Sequence, residues 1–388
     1  MSFQPFPTRG PSGTASAPDL LLSANSLWNI TNFRARLIRS LAAEGYRLTV
    51  AAPCSAEEAA AFALPANTQG IAIDRSGMNP LHDGHLLLAY AGIMRRLRPA
   101  AYLGWTIKPN IYGALAARLM GVPAILNVSG LGTAFLSGSL MSRSISMFYT
   151  IAFRGAYVVF FQNKDDLALF VGRGLVTERQ ARLLPGSGID LDRFRATAVP
   201  AAPGSPTFLL IARLLGDKGI REFVEAARSV RAEYPNARFQ LLGSLDPANR
   251  SAIGSDELAQ WIGEGCIDYL GATDDVRPFV EQATAVVLPS YREGLPRTLL
   301  EGAAMGRPLI ASDVPGCREV VVDGLNGFLC RPADSRSLAD AMLRLSALSR
   351  DELAAMGHAA RSHVQARFDE ERVVEAYVDV LKDVIGLG

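Results

Sequence analysis

The chain has 388 residues, 49% hydrophobic and 20% charged, with a formal net charge of +1. That is longer than one hydrophobic core ordinarily serves, and the composition is that of a globular protein, so two domains are expected. The charge is uneven, with 19 Lys/Arg against 11 Asp/Glu in residues 1–200 and 20 against 27 in the rest; no dense basic run marks a nucleic-acid-binding protein.

Residues 1–18 are rich in Pro, Gly, Ser and Thr, lack an apolar period and are expected to be disordered. They also lack the apolar central run of a secretory signal. From Asp19 the pattern alternates between short apolar runs and helical periods. Asp19–Ser23 reads as a strand, Thr31–Glu44 as a helix ended by Gly45, and Arg47–Ala52 and Gly70–Ile73 as strands. A helix over Leu86–Leu97 precedes further strands at Ala101–Trp105, Ala124–Val128 and Ala156–Phe161. The apolar stretch Ile145–Phe161 carries Arg154 near its middle and falls short of the ~20 residues of a membrane span. Met141–Phe153, with Arg143 and Arg154 beside it, reads either as an interfacial helix over residues 141–154 lying on the inner leaflet or as a helix facing the core.

The Pro-rich stretch 196–206 cannot hold a helix or a central strand and reads as a linker. The rhythm restarts with a strand at Thr207–Ala212, a helix at Gly219–Glu233 and strands at Arg238–Gly243, Ala285–Pro289 and Pro308–Ser312. Helices are expected over Ser335–Leu348, Arg350–Phe368 and Glu370–Ile385. The fold class is therefore α/β, with one Rossmann-like parallel-sheet domain over 19–195 and another over 207–369, facing a cleft of the kind where ligands bind.

The four cysteines, Cys54, Cys266, Cys317 and Cys330, show neither metal-ligand spacing nor a disulfide framework, pointing to a reducing, cytoplasmic setting. His82 and His85 have no third ligand nearby, so no metal site is expected. Chemistry concentrates in two places. Glu293-Gly294-Leu295-Pro296-Arg-Thr-Leu-Leu-Glu301 follows a predicted strand and opens a helix, with Pro296 suited to the first turn. Its two carboxylates are placed to accept hydrogen bonds from hydroxyls at two ends of one ligand, and the helix N-terminus offers N–H groups to an anion. The bland alternative is a capping acid and a surface acid. In Arg213-Leu-Leu-Gly-Asp-Lys218-Gly219 a buried strand delivers two cations into one loop, suited to a diphosphate or simply exposed.

These residues resemble glycosyltransferase family four: the Glu-x7-Glu pair, the upstream Arg-x4-Lys, and Val314-Pro-Gly-Cys-Arg-Glu319 with Asp323-Gly-Leu-Asn-Gly327. The resemblance implies the GT-B fold and a retaining, metal-independent transferase without a cofactor, its donor a nucleotide sugar, with UDP expected. It implies that Glu293 contacts the donor sugar, Glu301 the ribose, and Arg213 and Lys218 the diphosphate. Gly294, Leu295 and Pro296 line the same donor site, and backbone groups near Gly271 and Asp275 hold the base. It also implies that the last helix, within 370–388, crosses back to the first domain.

In the first half, Asn32-Phe-Arg34, Thr106-Ile-Lys-Pro-Asn-Ile-Tyr-Gly113 and Ser129-Gly-Leu-Gly-Thr-Ala-Phe135 resemble enzymes that extend undecaprenyl-diphosphate-linked sugars with N-acetylgalactosamine. A lipid-linked sugar acceptor follows from that resemblance. Asn25, Ser26, Lys108, Ser129 and Gly130 are the acceptor- or phosphate-binding candidates. Ser129 stands where related enzymes carry an acid, and the same loop lacks the histidine that many members place near the donor sugar. A sugar-nucleotide epimerase of the same fold and a non-catalytic sugar-nucleotide-binding partner are the rival readings.

Overall fold

The computed structural model describes residues 17–74, 79–130, 149–200, 205–247, 249 and 251–386. The expected disordered N-terminus therefore lies almost wholly outside the described residues. The chain divides into two compact units, one of residues 1–187 with 371–388 and one of residues 188–370.

The first unit is built on a parallel sheet of β1 (Asp19–Ser23), β2 (Arg47–Ala52), β3 (Asn67–Gly70), β4 (Ala101–Trp105), β5 (Ala124–Val128), β6 (Val158–Phe161) and β7 (Ala181–Leu183), in the order β3-β2-β1-β4-β5-β6-β7. Strand side chains alternate between two cores. Leu20 and Leu22 join one with Leu103 and Phe160, whereas Leu21 joins the other with Tyr102 and Phe161. Burial on both faces is why these strands read as continuous apolar runs rather than alternating ones.

Three local expectations need correction. The helix expected over Thr31–Glu44 is two helices, Leu27–Phe33 and Ala35–Ala43. Ser26 starts the first by accepting from Asn29 N (3.1 Å), and the break falls at Arg34, whose buried guanidinium lies 5.2 Å from the centroid of the Trp105 ring. The strand expected at Gly70–Ile73 forms earlier, because Asn67–Gly70 is the segment that pairs with Thr49–Ala52. The helix expected from Leu86 begins at Pro80, with Asn79 as its cap.

The helix Glu370–Ile385 packs within the first unit. Val373, Val374, Tyr377, Val378 and Leu381 fall on one helical face and bury against the core that contains Leu20, Leu22 and Trp105. Tyr377 Oη accepts from Trp105 Nε1 (2.9 Å) and Asn127 Nδ2 (3.3 Å), tying this helix to β4 and β5.

The second unit repeats the plan with β8 (Thr207–Ile211), β9 (Arg238–Leu242), β10 (Asp268–Tyr269), β11 (Ala285–Leu288), β12 (Leu309–Ser312) and β13 (Gly327–Cys330), ordered β10-β9-β8-β11-β12-β13. Phe208 and Leu210 enter one core, Leu209 and Ile211 the other. This unit starts earlier than the linker pattern suggests. Ile189 and Phe194 are buried in its core, and Arg307 donates to Ala198 O (2.8 Å) and Thr197 O (3.0 Å). Residues 188–199 are thus part of the second unit, held by packing that no local pattern announces.

Both sheets reverse strand order once near the middle, between β1 and β4 in the first unit and between β8 and β11 in the second. Loops at the carboxyl ends of the strands flanking such a reversal diverge and leave a crevice for ligand.

Tyr377→Phe removes one acceptor from two buried donors, Trp105 Nε1–H and the Asn127 amide. Urea unfolding of the variant is expected to show a loss of ~1–3 kcal/mol; an unchanged midpoint would mean that the helix docks by apolar contact alone.

Candidate functional site

The second unit's order reversal carries the donor-site candidates. After β8 the chain turns outward at Arg213, which is exposed and pairs with Asp246 (2.9 Å). A short turn, Gly216–Lys218, then leads into Gly219 at φ 74°. A Cβ on Gly219 would lie 2.1 Å from Pro289 O, so only glycine lets this loop press against the end of β11. Tyr291 N donates to Asp217 O (2.9 Å) and fixes the same contact. As a result Lys218 Nζ sits 2.6 Å from Glu293 Oε1, with the side chains 22% and 14% exposed.

A third loop joins from β12. Gly316 has φ 80°, and a Cβ there would be 2.4 Å from Gly294 O and 2.8 Å from Glu293 O. Behind it Cys317 is fully buried, and its thiol is held well above the usual range, first by burial and then by the Glu293 charge. A thiol kept neutral in this way is packing, not a nucleophile.

Pro296 is buried and caps the helix Arg297–Ala304, one position before the first helical turn where its pattern placed it. Leu295 packs on the core formed by Leu299, Leu300 and Val314. Glu301, one turn further in, is 8% exposed and accepts from Arg297 Nε (2.9 Å). Burial raises its pKa, with Arg297 opposing the shift. Arg193 and Asp275 lie within electrostatic reach of Glu301.

Gly271 follows β10 at φ 75°, and its carbonyl accepts from Gly243 N (2.7 Å). Asp275 is bound through both carboxylate oxygens by Arg277, which holds its pKa below the usual range, and it also accepts from Arg277 N. Its side chain therefore serves the local turn. Asp190 and Asp192, an Asp-x-Asp pair in the sequence, form another turn in which Asp190 accepts from the backbone N–H of Asp192 and Arg193.

The first unit's candidates gather at its own reversal. Asn25 and Ser26 follow β1, and Ser26 acts there as a helix cap. Lys108 follows β4 and pairs with the buried Asp83 (2.7 Å), whose other oxygen accepts from Tyr112 Oη (2.8 Å). Ser129 is exposed and Gly130 has φ 148° after β5. The rest of that loop, from Leu131, and the expected interfacial segment as far as Phe148 lie outside the described residues. Of the described part, Tyr149 and Phe153 are buried in the core and Ile151 is 43% exposed; the first two thus take the core-facing alternative. Among the described residues no helix is long and apolar enough to cross a membrane.

Reading the sequence missed the counter-charges. Arg297 was legible as the i,i−4 partner of Glu301. Asp246 and Asp83 have no sequence signal, being 33 and 25 residues from the cations they hold.

Two doubly wound parallel sheets, each with polar loops at its order reversal, make this a protein of the GT-B architecture. Residues 30–186 match the family described as "Glycosyl transferase 4-like domain" and residues 205–347 the one described as "Glycosyl transferases group 1". The chain belongs to the glycosyltransferases assembled from these two domains.

It is 26% identical over 328 residues to the N,N'-diacetylbacillosaminyl-diphospho-undecaprenol alpha-1,3-N-acetylgalactosaminyltransferase of Campylobacter jejuni, covering 80% of this chain and 84% of that one. Among solved structures, sucrose-phosphate synthase from Thermosynechococcus elongatus superposes with a TM-score of 0.78 at 18% identity, over 96% of this chain and all of the other. Anabaena Alr3699/HepE in complex with UDP and glucose superposes at 0.76 with 17% identity, over 94% of this chain and all of the other.

The Glu301 shift has a sign that can be measured. Between the ordinary carboxylate range and the raised native value, the folded chain holds a proton that the unfolded chain has lost. The contribution of this group to stability therefore falls as pH rises through that window. Urea melts of Glu301→Gln across pH are expected to show the variant gaining on the parent as pH climbs; a pH-independent difference would mean that Arg297 fully offsets the burial.

Proposed function

We propose that this glycosyltransferase moves a hexose or N-acetylhexosamine from a nucleoside diphosphate sugar, with UDP as the nucleotide, to a lipid-linked sugar or glycan acceptor, with retention at the anomeric carbon and without a metal. The observation that carries the reading is the contact of Lys218 with Glu293 at the β8/β11 reversal, in the loop that leads into the helix carrying the buried Glu301. A cation for phosphate and acids for hydroxyls then lie along one ligand-sized stretch of backbone.

In the reaction the bond between the anomeric carbon and the β-phosphate oxygen breaks, and that oxygen keeps the electron pair. Arg213, Lys218 and the N–H groups opening the helix Arg297–Ala304 stabilise the growing charge, the part a metal takes elsewhere. The acceptor hydroxyl attacks from the same face and its proton passes to the departing phosphate. Glu293 and Glu301 hold hydroxyls of the sugar and ribose.

The acceptor assignment draws on the Campylobacter relative, named for a diphospho-undecaprenol acceptor, and the nucleotide on the Anabaena protein, solved with UDP. Work in bacterial surface polysaccharide assembly fits the colanic acid transferases that the chain also resembles at 26–28% identity. A lipid-linked acceptor fits a chain that works as a peripheral protein at the cytoplasmic face of the inner membrane.

Lys218→Ala is expected to lower kcat by ~10²–10³ while the KM for acceptor moves by less than about threefold. Equal losses in both would remove the diphosphate from Lys218. A thermal-shift screen of nucleoside diphosphates tests the nucleotide directly, because a ligand of the native state raises Tm by mass action.

A further inference from the structure

The cation assigned to the diphosphate already has an anion beside it. Glu293 Oε1 stands 2.6 Å from Lys218 Nζ, and both side chains are largely withdrawn from water. The pair is not a loose surface contact. Gly219 lies against Pro289 O beside the Lys218 loop, and Gly316 lies against Gly294 O beside the Glu293 loop. The neighbouring cations have partners of their own. Arg318 is engaged by Asp313, and Cys317 is kept neutral by burial. Arg297 is committed to Glu301 and Arg213 to Asp246.

We propose that Glu293 is an internal competitor of the nucleoside diphosphate and serves to expel it after transfer. The inference rests on the function proposed above and adds to it a second role for Glu293. While donor is bound, sugar hydroxyls donate to the carboxylate and offset its closeness to the phosphates. Once the sugar has left, Glu293 has no such donors. The β-phosphate is now terminal, with a second ionisation near pH ~6, and once it has released to solvent the proton taken from the acceptor it carries more negative charge than it did as an ester. A carboxylate a few ångströms from that phosphate raises the free energy of the product complex and competes with it for Lys218. The same charge thus favours sugar nucleotide over bare nucleotide at a site that binds both through the same cations.

The test is binding of UDP to the full-length parent and variants by calorimetry, beside turnover and product inhibition. Glu293→Gln is expected to bind UDP about tenfold more tightly than the parent and to be inhibited by UDP at correspondingly lower concentration, while its kcat falls. Affinity and turnover then move in opposite directions, which a residue that merely supports the fold or merely grips donor would not produce. Glu293→Asp keeps the charge and is expected to bind UDP within about threefold of the parent, separating charge from side-chain shape. Glu293→Ser supplies the same neutralisation if the Gln variant does not fold. UDP affinity unchanged or weakened in the neutral variants, at the parent's Tm, overturns the competitor role and leaves the proposed function standing. A parent that binds neither UDP nor GDP overturns both.

Discussion

The second unit depends on the approach of two loops that are far apart in sequence. The turn after β8 meets the end of β11 because Gly219, at φ 74°, has no Cβ to strike Pro289 O. The Lys218–Glu293 pair is arranged around that contact. The contact puts Lys218 on Glu293, it aligns Tyr291 N with Asp217 O, and it leaves the helix Arg297–Ala304 starting directly beside the pair. Gly316 repeats the device from the next strand, meeting Gly294 O at a distance no side chain would allow. Two glycines with positive φ therefore set the geometry of the charged residues although neither carries a functional group.

The cations around this contact have counter-ions of their own. Arg213 is taken by Asp246, Lys218 by Glu293, and Arg297 by Glu301. A buried or half-buried charge without a partner is costly, and the Lys218 and Arg297 pairings avoid that cost. The three pairs differ in how firmly they are held. The Arg213 pair is the most exposed, with the arginine side chain 58% accessible, and as a solvated pair it contributes little to holding the arginine in place. The Lys218 and Arg297 pairs are the two whose acids, Glu293 and Glu301, form the Glu-x7-Glu pair.

The first unit repeats this logic at its own reversal. Lys108 is fixed by Asp83, which Tyr112 also engages, and Ser26 is used as a helix cap. That unit is completed by the last helix of the chain, whose Tyr377 meets Trp105 and Asn127 beneath β4 and β5. Sequence order and spatial membership part company here: Glu371–Gly388 belongs with residues 1–187, not with the 183 residues that precede it in the second unit.

The sequence by itself determined the parallel α/β class, the strands at Asp19–Ser23, Arg47–Ala52, Ala101–Trp105 and Ala124–Val128, and the helix Glu370–Ile385, because these are buried runs or long periods whose signal is local. It also identified the acids and cations of the second unit, since a Glu-x7-Glu pair and an Arg-x4-Lys pair are visible as spacing. Only the tertiary structure decided what those charges touch. Arg213 could not be assigned to Asp246, nor Lys108 to Asp83, because such pairings depend on loops from different strands meeting at a sheet reversal. Weak or short elements escaped for the same reason. The strands Asp268–Tyr269 and Ala181–Leu183 exist only because a neighbouring strand offers them a ladder, and residues 188–199 join the second unit only because Arg307 and a ready core receive them.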